Sequence, residues 1–239
     1  MMRATMLIIG HRGAAGVAPE NSLEALRAGV EAGADMLEFD IHLTHDRVPV
    51  LIHDNNLMRT HKKRSFIHST SLAELRQVTA DTDSPIITLE EVLDEFFGKV
   101  LLNIEIKQRG TAKEIIALLT RKYVKRKSDW DLLAFSSFLA GELRALRKLA
   151  PEANLWLLHN RNPFIFIAYA RLLRLNGVGF HRLYINDLAL EIAKQAKLFT
   201  YAYTVNRPDA AVLLSRRGLD GVVTDYPDRI LKKIQKKSA

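Results

Sequence analysis

Met36-Leu37-Glu38-Phe39-Asp40-Ile41 is the stretch whose reading decides the fold. On a strand, residues two apart share a face. Glu38 and Asp40 therefore project together, and Leu37, Phe39 and Ile41 project to the other side. Val100–Ile106 repeats the pattern, with Asn103, Glu105 and the following Lys107 set against Leu102, Ile104 and Ile106. In a barrel, the apolar sets face an outer layer of helices and the polar sets face inward.

The rest of the chain alternates in the same way. Further strand-like runs are Met6–Gly10, Leu132–Ser136, Asn154–Leu158, Gly177–Phe180, Phe199–Val205 and Gly221–Thr224. Between them lie helix-like segments, among them Glu24–Glu31, Leu89–Phe97, Ala112–Tyr123, Phe138–Leu149, Leu188–Lys197, Asp209–Arg217 and Pro227–Ile234. Thr88 before Glu91, Ser71 before Glu74 and Asn21 before Glu24 have capping-box spacing. Eight βα units predict an α/β protein, a closed parallel (β/α)8 TIM barrel.

One segment breaks the alternation. Ile41–Thr44 and Val48–Ile52 are separated only by His45-Asp46-Arg47. A parallel crossover needs a dozen or more residues, so this is a hairpin or a strand extension. Residues 42–87 are then a small insertion over the barrel mouth, with a helix predicted at Ser71–Val78 and no second core. The expected organisation is one domain over residues 1–239.

The chain has 239 residues, 48% hydrophobic and 26% charged, with no cysteine and a formal charge of +8. Thiolate metal sites and disulfides are excluded, so any metal must use oxygen or imidazole ligands. A cysteine-free chain without a signal-peptide pattern fits the cytoplasm. Basic clusters at Arg59–Arg64, Arg121–Lys127 and Lys232–Lys237 read as solvated helix ends, or as a surface drawn to anionic lipid or acidic substrates. They lack the aromatic interleaving of a nucleic-acid binder, and none is expected as a partner. The apolar run Pro163–Leu175, interrupted by Arg171 and Arg174, reads as a barrel-covering helix with weak membrane-surface contact as a second reading.

Inward carboxylates need compensation, because an unpaired buried charge is costly. A hard cation supplies it: Glu38, Asp40 and Glu105 would bind Mg²⁺ or Ca²⁺ and leave positions for substrate oxygens. A salt-bridge network with Arg12 and Lys107 is the plainer reading. It fits less well with carboxylates at the C-terminal ends of barrel strands, where active sites lie. His11 ends the first strand and His53 ends the hairpin. Such a pair can supply the base and the acid that phosphodiester hydrolysis requires. Arg12 and Lys107 would hold phosphoryl oxygens. Asp54 either orients His53 or approaches the metal. Tyr203 at a mouth would pack against the alcohol part of a substrate, or serve as an ordinary core or rim aromatic. His159 is a weaker pocket candidate. His42, His45, His61, His68 and His181 are expected in solvated positions.

These motifs resemble the glycerophosphodiester phosphodiesterase family. The resemblance rests on His11-Arg12-Gly13, Pro19-Glu20-Asn21, Glu38-x-Asp40, Pro49-Val50-x-x-His53-Asp54 with Arg59-Thr60, Asn103–Lys107, Ser137-Phe138, Thr204-Val205-Asn206 and Gly221–Pro227. They occur in order over nearly the whole chain. The resemblance implies hydrolysis of small glycerophosphodiesters to sn-glycerol 3-phosphate and an alcohol, in many members through a cyclic phosphate. It implies one divalent cation at Glu38, Asp40 and Glu105, an acid/base pair at His11 and His53, and a phosphate-stabilising Lys107. The chain departs from the family pattern at Tyr203, where tryptophan is frequent, and in its short insertion, which bears on substrate size. Two other readings use the same residues: hydrolysis of lysophospholipids in the manner of a lysophospholipase D at a membrane surface, and a silent barrel that binds a phosphorylated ligand.

Overall fold

The computed structural model describes residues 6–238. In chain order the elements are β1 (Leu7–Gly10), α1 (Leu23–Glu31), β2 (Met36–Leu43), β3 (Pro49–Leu51), α2 (Met58–His61), α3 (Leu72–Thr79), α4 (Leu89–Phe96), β4 (Leu101–Ile106), α5 (Thr111–Lys122), β5 (Leu133–Ser137), α6 (Ala140–Leu149), β6 (Asn154–His159), α7 (Ile165–Leu173), β7 (Gly177–His181), α8 (Asp187–Gln195), β8 (Phe199–Tyr203), α9 (Pro208–Arg216), β9 (Gly221–Thr224) and α10 (Pro227–Ser238). Among the described residues, eight parallel strands close a barrel. The order runs β1-β9-β8-β7-β6-β5-β4-β2, and β1 pairs with β2. No helix among them is long and apolar enough to cross a membrane.

The parity argument holds. Leu37, Phe39, Ile41, Leu102, Ile104 and Ile106 pack in the layer between barrel and helices. A smaller apolar set, including Ile9, Met36, Ala134, Trp156, Leu158, Tyr201 and Val223, forms a separate cluster with Phe199 and Tyr203 at its margin. In the β2–β4 register Glu38 stands beside Asn103, and Asp40 beside Glu105. Two strands thus deliver their polar residues at neighbouring levels.

The short connection makes a hairpin: β3 pairs antiparallel with β2, His42 opposite Val50. The following chain, with α2 and α3, packs on Val50, Ile52, Leu57, Ile67, Leu75 and Ile86, an apolar cluster of its own. The expectation of no second core does not register this cluster, because its residues are spread over a strand, loops and one helix with no common period. The capping boxes at Ser71 and Thr88 form as expected. Asn21 does not cap: Ser22 does, accepting from the Ala25 N–H at 3.0 Å. Strand β8 ends at Tyr203 rather than Val205. After β1 the chain turns through Arg12 (φ 51°) and Gly13 (φ 89°). A Cβ at Gly13 would stand 2.4 Å from the Ala25 backbone, so only glycine fits this turn.

Candidate active site

Glu38, Asp40 and Glu105 bring carboxylate oxygens within 4.8 Å of one another. Glu38 and Asp40 are buried, at 3% and 1% exposed. Asp40 is the best satisfied. Its Oδ2 accepts from the Asn21 amide at 3.0 Å, Arg12 Nε approaches to 3.3 Å and Lys107 Nζ stands 3.5 Å from Oδ1. Burial opposes its ionisation, but Lys107 and Arg12 outweigh that and hold its pKa down to about 2. Glu38 accepts only the Arg12 backbone N–H, at 2.9 Å, and its Oε1 is buried without a partner. Burial, with Asp40 beside it, pushes its pKa up to about 8. Burial and Asp40 also raise Glu105, although Lys107 Nζ donates to it at 2.7 Å.

This arrangement fits a hard divalent cation. Three carboxylates face two nearby cations, Arg12 and Lys107. Buried oxygens of Glu38 and Asn103 are left without a donor. Oxygen-only donors with unsatisfied lone pairs suit Mg²⁺ or Ca²⁺.

The two histidines are each tethered by a carboxylate. His11 Nδ1 lies 2.5 Å from Asp225 Oδ1, and Asn206 donates to the other Asp225 oxygen at 2.5 Å. His53 Nδ1 lies 2.6 Å from Asp54 Oδ1, and Arg59 Nε donates to Asp54 Oδ2 at 2.7 Å. Asp54 therefore orients His53 and is not one of the clustered carboxylates. Arg59 continues to Glu20, and Glu20 to Arg12, linking this histidine's support to the trio. Nδ1 is thus committed to a carboxylate in both rings. Burial depresses His11, but Asp225 and Glu38 outweigh it and raise its pKa. Burial lowers that of His53, and Asp40 offsets this only in part.

Lys107 lies between Glu105 and the Phe138 ring, 5.7 Å from its centroid. The Arg12 guanidinium is braced by Glu20 at 2.7 Å on one side and Asp40 on the other. The Tyr203 hydroxyl donates to the His159 carbonyl, while its ring meets Phe138 and His181 edge-on. His159 is buried, and neither of its ring nitrogens has a partner.

Asp225 was not foreseen as a site residue, although it follows β9 as His11 follows β1. Its partner lies 214 positions away, so no local spacing marks it. Asn21 was misread as a helix signal because its side chain is recruited by Asp40. His42 and His61 are buried rather than solvated. His42 continues the inward parity of Glu38 and Asp40, and its Nε2 meets the His53 carbonyl at 3.2 Å. His61 Nε2 meets the Ser84 carbonyl at 2.8 Å. A cleft of about 610 Å³ lies elsewhere, between β3, α3, α4 and α5. Its charges are paired with one another, Arg47 with Glu114 and Arg76 with Glu91.

Known proteins share this architecture. The model of the glycerophosphoryl diester phosphodiesterase family matches residues 11–229. A glycerophosphodiester phosphodiesterase of Caldanaerobacter subterraneus subsp. tengcongensis is 29% identical over 240 residues, 96% of this chain and 98% of that protein. The structure of an Oleispira antarctica phosphodiesterase in complex with its product sn-glycerol-3-phosphate is 30% identical. It aligns with a TM-score of 0.84 over 96% of each chain. A glycerophosphodiester phosphodiesterase from Thermotoga maritima is 26% identical, with a TM-score of 0.83 over 97% of this chain and 99% of that one. With the barrel, the carboxylate trio and the two tethered histidines in place, the chain belongs to the glycerophosphoryl diester phosphodiesterase family of enzymes.

Proposed function

We propose that this enzyme hydrolyses small glycerophosphodiesters to sn-glycerol 3-phosphate and an alcohol, with His11 and His53 as the acid/base pair. The observation that carries the reading is the pair of carboxylate-tethered imidazoles, His11 after barrel strand β1 and His53 after hairpin strand β3, beside a buried carboxylate trio on β2 and β4. The product held by the Oleispira antarctica relative supports the glycerol 3-phosphate half.

His53, whose pKa is lowered, takes the proton of the attacking hydroxyl as its oxygen bonds to phosphorus; where the attacker is the glycerol hydroxyl beside the phosphate rather than water, a second attack by water opens the resulting cyclic phosphate to glycerol 3-phosphate. His11, whose pKa is raised, gives a proton to the departing alkoxide as the old P–O bond breaks. Two imidazoles pushed in opposite directions suit these two roles. Lys107 and Arg12 stabilise charge on the phosphoryl oxygens, and Tyr203 and Phe138 wall the alcohol side. Glu38, Asp40 and Glu105 would hold a divalent cation, which when bound draws electron density from the phosphoryl oxygens.

The test is release of glycerol 3-phosphate from glycerophosphocholine by metal-stripped enzyme, with Mg²⁺, Ca²⁺ or Mn²⁺ added back. Metal-restored release supports the reading; no release with any cation overturns it.

A further inference from the structure

Glu20, in the connection between β1 and α1, receives two arginines that serve different halves of the site. Arg12 Nη1 donates to its Oε1 at 2.7 Å. Arg59 grips it with both arms of its guanidinium fork, Nη1 to Oε2 at 2.8 Å and Nη2 to Oε1 at 2.5 Å. The local fold sets this up. The Asn21 N–H bonds the Arg12 carbonyl at 3.2 Å, which brings Glu20 alongside Arg12. The Asn21 amide then turns to Asp40.

Each arginine also reaches a second carboxylate. Arg59 Nε donates to Asp54, the tether of His53, and Arg12 Nε lies 3.3 Å from Asp40. All three nitrogens of Arg59 are thus directed at carboxylates, so this cation holds its neighbours rather than a substrate. Arg12 gives Glu20 only Nη1, which leaves Nη2 for a phosphoryl oxygen. Burial opposes ionisation of Glu20, but Arg59 and Arg12 outweigh it and hold its pKa below the usual carboxylate range.

Stability is not what this bridge chiefly supplies. The Arg59 side chain is 47% exposed, and ion pairs so open to water add little. Direction is another matter, because a fork on a carboxylate fixes plane as well as distance. No other ion pair among the described residues joins the β1–α1 connection to the segment after β3. That segment packs on an apolar cluster of its own, so the barrel core alone does not set the aim of His53.

We propose that Glu20 is a positioning residue with two arms: through Arg59 it aims Asp54 and His53, and through Arg12 it aims the cation that meets the phosphoryl group. The proposal rests on the roles given above to His53 and Arg12. The arms act on different quantities. The Arg12 arm governs affinity for the phosphoryl group, and the Arg59 arm governs proton transfer and hence kcat.

The experiment measures kcat on glycerophosphocholine and calorimetric binding of glycerol 3-phosphate, on the full chain with cation present. Glu20→Gln keeps the shape and one acceptor oxygen but removes the charge. It should lower kcat roughly 10–10²-fold, as small misplacements of reacting groups do. It should also weaken glycerol 3-phosphate binding about tenfold, the scale of one charged hydrogen bond. Arg59→Lys cannot fork between Asp54 and Glu20. It should lower kcat with glycerol 3-phosphate binding unchanged. The double variant should have the kcat of Glu20→Gln alone, because one path carries both effects. Melting temperatures should stay at the wild-type value. Three results overturn the proposal: wild-type kcat and binding in Glu20→Gln, wild-type kcat in Arg59→Lys, or kcat losses that multiply in the double variant. If Glu20→Gln does not fold, the split between kcat and binding in Arg59→Lys decides. A wild type without turnover rejects the proposed reaction instead, and the calorimetric arm still decides whether Glu20 aims Arg12.

Discussion

His11 and His53 differ in what surrounds them, and the difference has a measurable sign. Burial works against charge on both rings. Asp225 and Glu38 reverse its effect on His11, whereas at His53 it prevails. A base of lowered pKa and an acid of raised pKa are both in working form between the two values, so kcat/KM should follow a bell in pH. His53→Ala should remove the acid limb and His11→Ala the alkaline limb. Each should cost roughly 10²–10⁴ in rate with the melting temperature unchanged. Near-normal activity in both variants would reject these roles. Asp225→Asn should keep the ring in place but remove the charge that raises His11, moving the alkaline limb to lower pH. An unmoved limb would reject Asp225 as the orienting group.

Among the elements, the hairpin and its continuation carry half of the proposed acid/base pair. His53, Asp54 and Arg59 follow β3, and the segment is held by an apolar cluster separate from the barrel core. Leu75, fully buried there, is its natural lever. Leu75→Ala should cost roughly 2–5 kcal/mol, as large-to-small core changes do. The expected readout is faster proteolysis between β3 and α4 and a fall in kcat, with the barrel's circular dichroism retained. Loss of barrel and hairpin segment together would show them to be one cooperative unit. Much at this scale was readable locally. Three residues between Thr44 and Val48 forced the hairpin, and Ser71 and Thr88 three positions before a glutamate marked two helix starts. The same pattern failed at Asn21, since a short-range rule does not register that Asp40, nineteen positions on, takes the side chain.

Across the whole molecule, the carboxylate trio makes stability depend on metal and pH together. Glu38 is pushed up to about 8 from an ordinary 4.5 by burial and by Asp40. A carboxyl with a raised folded pKa stabilises the fold below its unfolded value and loses that contribution as pH rises through the folded one. Metal-free enzyme should therefore lose stability between about pH 4.5 and 8, on the order of a few kcal/mol. Asp40, held down to about 2, has the opposite sign but acts below this window. A bound cation keeps the carboxylates ionised and removes the loss. The melting-temperature gap between cation-loaded and chelator-treated enzyme should widen from pH 5 to pH 8. A constant gap would reject the trio as the metal site.

The barrel, the inward face of Glu38, Asp40 and Glu105, and the strand-end positions of His11 and His53 were determined by sequence alone. The reason is local: strand parity, helix period and loop length are set by near neighbours. What only the tertiary structure decided is which distant groups meet. Closing β1 against β9 brings Asp225 to His11, and the return of the chain after β3 brings Arg59 to both Asp54 and Glu20. The burial of His42 and of His61 belongs to the same class. Each depends on what the folded chain places opposite a residue, and spacing along the chain does not encode that.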